Sequence, residues 1–524
     1  MNRERTLRQS VITRTLAAAF VAVLGLAFAG TASAQRYVVL YKHVAPPGLA
    51  EVQVNRAGGS VVATYHRIGV VVAESSDPDF ESSIERFRQV EGAAATAAYA
   101  SPAGSEWRGG PFGKLPNEPA TDEDTFSGLQ WGLDQIHAKE AHEITGGSPK
   151  VVVGHIDTGI DPTHADLAPN LDFGRSVSCV GGAPNRDPAA WDDDSGHGTS
   201  TAGIIAAADN GIGIVGVAPN VRIAAIKASV RDGMRDVFLP EAVICAFVWA
   251  GTHDIDVTNN SYSVDSALVG GTTSFCGTEE NQSVVIEAVQ RAARFAMHRG
   301  TSVVASAGNA NADMVADPCL RLPSELPGVI TVAATGILGQ RAAYSNFGLG
   351  IVDVAAPGGE VTQGGPPPGN LILSTWPAKF PAPTLLCDPL GTPCFPGPTP
   401  GVSYYRYGLG TSQAAAHVSG VAALVVSRYG TRLGLPWGKL HPVLVEAILQ
   451  KTADPRPCPA DARCESRGDK NGFYGHGIVN ALSAVTLFGD RDQGMHDDRD
   501  KDKGKGDRDD DDRGGKKDRG RDRH

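Results

Sequence analysis

The sequence predicts an α/β protein: a mostly parallel sheet with helices on both faces, preceded by a small ferredoxin-like βαββαβ unit. Three observations carry this. The runs VVVGHI (151–156), RIAAIKAS (222–229), DIDVTNNS (254–261), TSVVASAG (301–308) and GVITVAAT (328–335) are apolar, bounded by turn residues and separated by helix-like segments, as expected of strands buried on both faces. Glycine makes up 63 of 524 residues, which favours tight turns over long helical bundles. Upstream, residues 36–100 alternate strand-like RYVVLY, SVVATY and GVVVAES with helix-like stretches.

In chain order, Arg3, Arg5, Arg8 and Arg14 precede an apolar run over 16–29 and an Ala32-Ser33-Ala34 site. The run is too short for a spanning helix, which needs about 20 apolar residues, so 1–34 reads as a cleaved signal peptide. Export to the periplasm or medium follows, with no membrane partner after cleavage. Residues 35–100 form the small unit and 101–127, rich in polar residues, Gly and Pro, a linker carrying a processing site. Residues 128–489 form the main domain, in which 358–408 reads as a Pro/Gly-rich surface insertion. The tail, 490–524, carries 13 Asp against 12 Lys plus Arg and cannot bury a core. The net charge is −11 and no basic block is interleaved with aromatics, which excludes a nucleic-acid partner. The chain reads as a monomer.

An oxidising compartment lets the eight cysteines pair. Cys387 with Cys394 and Cys458 with Cys464 would each close a short loop. For Cys245, in an apolar run, a buried thiol and a bridge to Cys179 both stay open. No Cys/His spacing suggests zinc.

Three residues at element boundaries carry chemistry. Asp157 ends a buried strand at DTGID, where open sheets present functional groups. His197 opens a small-residue helix at GHGTSTAG, and Ser412 opens an apolar helix at GTSQAAAHVSG, where the helix dipole favours developing negative charge. Singly, each is equally a helix cap or a structural residue. The ordered strings DTGID, GHGT, VVASAGN and GTSxAAxHVSG together resemble the subtilisin-like serine proteases, the subtilases, over residues 129–488.

The resemblance implies an exported serine endopeptidase with Ser412 as nucleophile, His197 as general base and acid, Asp157 orienting the imidazole and Asn309 donating to the oxyanion. It implies that residues 35–100 are an inhibitory propeptide, so that the partners are protein or peptide substrates and the chain's own N-terminal unit. Ser261, Tyr262 and Ser263 would pair with the substrate backbone, and Ser306, Ala307 and Gly308 would line the specificity pocket, with uncharged apolar P1 side chains. It also implies a structural Ca²⁺ held by Asp166, the side chain of Asn210 and the carbonyls of Ala208, Ile212 and Ile214, oxygen ligands suited to a hard cation. The sequence departs from the family pattern at Ser263 (usually Gly), Gln413 and Ala416 (usually Met and Pro), and Ser200 and Thr201 (usually His and Val). An inactive binding protein and a peptide-joining acyl transferase share the fold and stand as alternatives.

Overall fold

The computed structural model describes residues 33–97, 101–102, 124–233, 235–263, 280–362, 368–380, 385–388, 391–394, 402–430, 439–461 and 463–489. The expected signal segment except Ser33 and Ala34, most of the linker and the charged tail lie outside these residues.

The N-terminal unit runs β1 (Gln35–Tyr41), α1 (Pro47–Arg56), β2 (Gly59–Tyr65), β3 (Val70–Ser75), α2 (Phe80–Ile84) and β4 (Val90–Ala95). Its four strands are antiparallel in the order β2-β3-β1-β4, as the alternating pattern predicts. Because side chains alternate faces along a strand, Tyr37, Val39 and Tyr41 pack with Val54, Phe80 and Ile84 of the two helices. The intervening Val38 and Leu40 point the other way and join the core of the main domain.

After β5 (Ser101–Pro102), the main sheet contains β6 (Val152–Asp157), β7 (Val177–Ser178), β8 (Arg222–Lys227), β11 (Val257–Asn260), β12 (Ser302–Ser306), β13 (Val329–Thr335) and β14 (Val354–Pro357). Its order is β14-β13-β12-β11-β6-β8-β7, parallel throughout. All five apolar runs of the sequence lie in it. One face packs on α3 (His197–Ala206) and α6 (Thr411–Tyr429), the other on α4 (Pro240–Thr252) and α5 (Glu280–His298). Alternation again divides the cores: Val153 faces the first pair of helices, Val152 and Ile156 the second. Helix α6 is buried nearly all round, which explains the small and apolar residues that predominate in it.

The stretch 358–408 is more than a surface insertion. It supplies β15 (Ile372–Trp376), β16 (Leu385–Asp388), β17 (Gly391–Cys394) and β18 (Ser403–Gly408), an antiparallel second sheet in the order β15-β18-β16-β17. Every residue of β15 is buried, and it braces α3: Thr375 Oγ1 donates to the Thr199 carbonyl at 2.7 Å and Ser374 Oγ to that of Ser200. A short hairpin, β9 (Ser229–Asp232) and β10 (Arg235–Phe238), follows β8, with β5 added antiparallel to β10.

Cys179 is bridged to Cys245 and Cys458 to Cys464, and Cys319 is also disulfide-bonded. The first bridge closes a separation of 66 residues, for which chain entropy gives a stabilisation of about 4 kcal/mol. The side chains of Cys387 and Cys394 lie outside the described residues.

Candidate active site

Asp157 occupies the last position of β6 and is fully buried. Its Oδ1 accepts from His197 Nδ1 at 2.7 Å and from the Thr158 amide at 2.7 Å. Burial alone would raise its pKa, but the charge and hydrogen bond of His197 outweigh this and hold the carboxyl below its ordinary value.

His197 sits at the start of α3, where Asp193 fixes the entering chain. Asp193 Oδ1 accepts from the amides of Ser195 and Gly196, and Oδ2 from that of Thr199. Gly196 has φ +102°, and a Cβ there would stand 2.5 Å from the Trp376 ring. Glycine is required before the histidine on both counts.

Ser412 lies in the first turn of α6, buried, with Oγ donating to the Ser261 carbonyl at 3.2 Å. Asn309 follows β12, and its Oδ1 accepts from the Thr411 amide at 2.9 Å and from Thr411 Oγ1 at 2.8 Å. With the oxygen so engaged, the amide nitrogen is turned away from Thr411, and a Cβ at Gly410 would lie 3.4 Å from it. Asn309 and Ser412 are thereby tied to adjacent residues of one helix N-terminus.

A buried polar layer joins these groups. His155 on β6 and Asn259 on β11 are cross-strand neighbours. His155 Nε2 contacts the Gly198 carbonyl at 2.9 Å and Thr201 Oγ1 at 3.0 Å. Desolvation lowers the His155 pKa, so the ring stays neutral behind Asp157. Asn259 Nδ2 donates to Ser261 Oγ at 2.9 Å, and Ser261 Oγ to the Ser412 carbonyl at 3.1 Å. Thr201, a departure from the family pattern, also reaches Asp157 Oδ2 at 3.4 Å. Sequence reading missed His155, Asn259 and Thr411. Only strand register brings the first two together.

Ser261 and Tyr262 are buried after β11. The Tyr262 ring stacks on Phe238 of β10, with centroids 4.2 Å apart, and its hydroxyl donates to Asn260 Oδ1. Ser263 is half-buried. On the other side Ser306 and Ala307 are buried, and Gly308, at φ +100°, would place a Cβ 2.6 Å from Asn346 Nδ2.

Away from this cleft, Asp166 is buried and its Oδ2 accepts from the Ile214 amide at 3.1 Å, while Oδ1 has no hydrogen-bond partner. Burial pushes its pKa up to about 8. Asn210 is exposed, and its Oδ1 accepts from the Ile212 amide. Asp124, which sequence reading did not single out, accepts from the amides of Asn210 and Gly211. Ala208 and Ile214 are buried in the same loop. An orphaned carboxylate oxygen beside a second buried acid is compatible with a hard cation.

Residues 148–477 match the Subtilase family. The chain is a subtilase. An extracellular protease of Xanthomonas campestris pv. campestris is 33% identical over 395 residues, covering 70% of this chain and 57% of that protein. Subtilisin BL of Lederbergia lenta is 30% identical over 359 residues, covering 68% of this chain and 98% of its own. Subtilisin E of Bacillus subtilis is 30% identical over 406 residues, 76% and 82% of the two chains. Among solved structures, the epidermin leader peptide processing serine protease of Staphylococcus aureus has the same fold, with a TM-score of 0.63 at 20% identity, covering 87% of this chain and 98% of its own. The subtilase is a subtilisin-like serine endopeptidase, and members of the family often bind calcium. Among the described residues, no helix is long and apolar enough to cross a membrane.

Proposed function

We propose that this endopeptidase cleaves peptide bonds through Ser412, His197 and Asp157. His197 takes the Ser412 proton as Oγ attacks the scissile carbonyl, then returns it to the leaving amine. Asp157 holds Nδ1–H, so Nε2 is the nitrogen that accepts. Asn309 Nδ2 and the Ser412 amide stabilise the oxyanion. The observation that carries this reading is the 2.7 Å contact between Asp157 and His197 at the end of β6. Ser261–Ser263 and β10 form the walls that pair with substrate backbone, and the small residues 306–308 favour uncharged apolar P1 side chains.

The N-terminal unit is read as an intramolecular inhibitor removed by self-cleavage. Pairing of Val237 with Pro102 and of Phe238 with Ser101 supports this, since it lays the end of that unit along a wall of the cleft as a substrate would lie. Export through residues 1–34 belongs to the same reading. N-terminal sequencing of the secreted protein tests all of it: the first residue is expected after Pro102 and no later than Asp124, because Phe126 is buried and its amide donates to Gly213. A start upstream of Pro102, or an uncut chain, would overturn it.

Calcium is proposed at the 208–214 loop, with Asp166, Asn210 and the carbonyls of Ala208, Ile212 and Ile214 as ligands. A bound ion would supply local charge neutralisation and hold the loop, with no part in bond cleavage. Calcium at about 100 times its dissociation constant is expected to add roughly 2.7 kcal/mol of stability. Asp166→Asn should abolish that increment in calorimetric scans, and an unchanged shift in the variant would remove Asp166 from the ligand set.

A further inference from the structure

Helices α4 and α5 present their outer faces to the N-terminal sheet. Val38, Leu40, Val70 and Ala94 of the sheet share a core with Ala242, Cys245, Val285 and Ala288 of the helices. Tyr65 Oη donates to the Gly182 carbonyl at 2.6 Å. Arg291 Nη1 donates to the Tyr41 carbonyl at 2.7 Å and Nη2 to Glu91 at 2.8 Å. Within this contact lies Glu241, in the first turn of α4 and fully buried.

Neither oxygen of Glu241 has a hydrogen bond of good geometry. Its own backbone amide and the side chain of Thr96, just past β4, are the polar groups turned towards it, and Arg36 of β1 is the charge that acts on it. Arg36 is itself paired with Glu74 of β3. A Cβ at Gly182 would stand 3.0 Å from Glu241 Cβ and 2.9 Å from Val72 Cγ1 of β3, and the bridge from Cys179 to Cys245 ties the Val180–Gly182 turn to α4 one turn further on. The carboxyl therefore has little room to escape while the sheet is docked. Burial raises its pKa, in keeping with a group that is held neutral.

We propose that Glu241 is a pH-sensitive latch for the N-terminal unit: neutral, it lets the sheet seat on α4; ionised, it drives the sheet off. This rests on the reading of that unit as a detachable inhibitor. The sign follows from linkage. A docked carboxyl binds its proton more tightly than one exposed by departure of the sheet, so docking weakens as pH rises above the ordinary glutamate range. The weakening approaches tenfold per pH unit and stops once the docked group has itself ionised. Arg291 and its acidic partners, Glu91 and Glu287, span the same contact.

Hydrogen exchange of the β1, β3 and β4 amides in the full-length Ser412→Ala chain, corrected for intrinsic rates between pH 4.5 and 8, tests the latch without requiring self-cleavage. Protection in that chain is expected to fall with pH, by as much as tenfold per unit. Added Glu241→Gln should abolish the Glu241-dependent slope, while Thr96→Val, which removes a group favouring the carboxylate, should carry the slope to higher pH. A slope that persists in Glu241→Gln would overturn the proposal. Should that variant fail to fold, a Thr96→Val profile identical to the parent would overturn it instead. A wild-type chain that never sheds its N-terminal unit, with these slopes present, would support the latch and sink the inhibitor reading.

Discussion

Replacing Ser412 by alanine is expected to lower kcat by about a million-fold, the size of effect seen for the nucleophile of subtilisin itself and not one read from this chain. Ser412 is the hydroxyl at the N-terminus of α6, where the helix dipole and amides would stabilise an alkoxide and the oxyanion that follows. Deleting Oγ removes one hydrogen bond, to the Ser261 carbonyl at 3.2 Å. The carbonyl of residue 412 keeps its bond from Ser261 Oγ, so the backbone of the site stays held and folding should survive. Residual activity over water, of the order of 10³-fold, would come from the oxyanion donors and substrate positioning. The variant should also lose labelling by a fluorophosphonate and accumulate as the uncut precursor. Labelling that persists would show that a different nucleophile carries the reaction.

The fold was legible where a strand is buried on both faces, because such a strand is an apolar run without alternation. The strands β6, β8, β11, β12 and β13 meet that condition and β9 and β10 do not; β14 is also buried throughout, but its four residues, VAAP, form too short and Ala-rich a run to read as a strand. The hairpin VRDGMRDVF carries four charged residues among nine because it sits at a rim. β15 and β18 were hidden for another reason. They are embedded in a stretch rich in Pro and Gly, and only packing against α3 shows that ILSTW is core. In the site, Asp157, His197, Asn309 and Ser412 stand in motifs whose order in the chain is informative. His155, Asn259 and Thr411 do not stand out so, because a lone polar residue in a strand or at a helix start has many structural uses. Their role comes from register, which sets His155 opposite Asn259, and from the return of α6 to the end of β12. Asp124 escaped notice because nothing in the sequence links it to a loop more than 80 residues downstream.

Asp157→Asn is expected to cost roughly 10⁴-fold in kcat, the magnitude known for the orienting carboxylate of a Ser-His-Asp triad, with KM changed little. Asparagine is nearly isosteric, and its Oδ1 can still accept from the Thr158 amide, which donates to Asp157 at 2.7 Å. Its Nδ2 would then face His197 Nδ1 as a donor. That favours the tautomer with the proton on Nε2, which cannot take a proton from Ser412. The pH dependence separates the two ionisations. The folded-state pKa of Asp157 is depressed, so its contribution to stability is full above the ordinary carboxylate range and is lost only as pH falls through the lowered value. The acid limb of kcat/KM in the wild type is therefore expected to follow the imidazole and not the carboxylate. In Asp157→Asn the charge is absent at every pH, so the protein should be less stable at neutral pH and its stability should depend less on acid. Steady-state kinetics with active-site titration, alongside thermal scans at several pH values, would read both effects. A loss of less than tenfold in kcat with the fold intact would mean that Asp157 holds α3 in place and does not set the tautomer of His197.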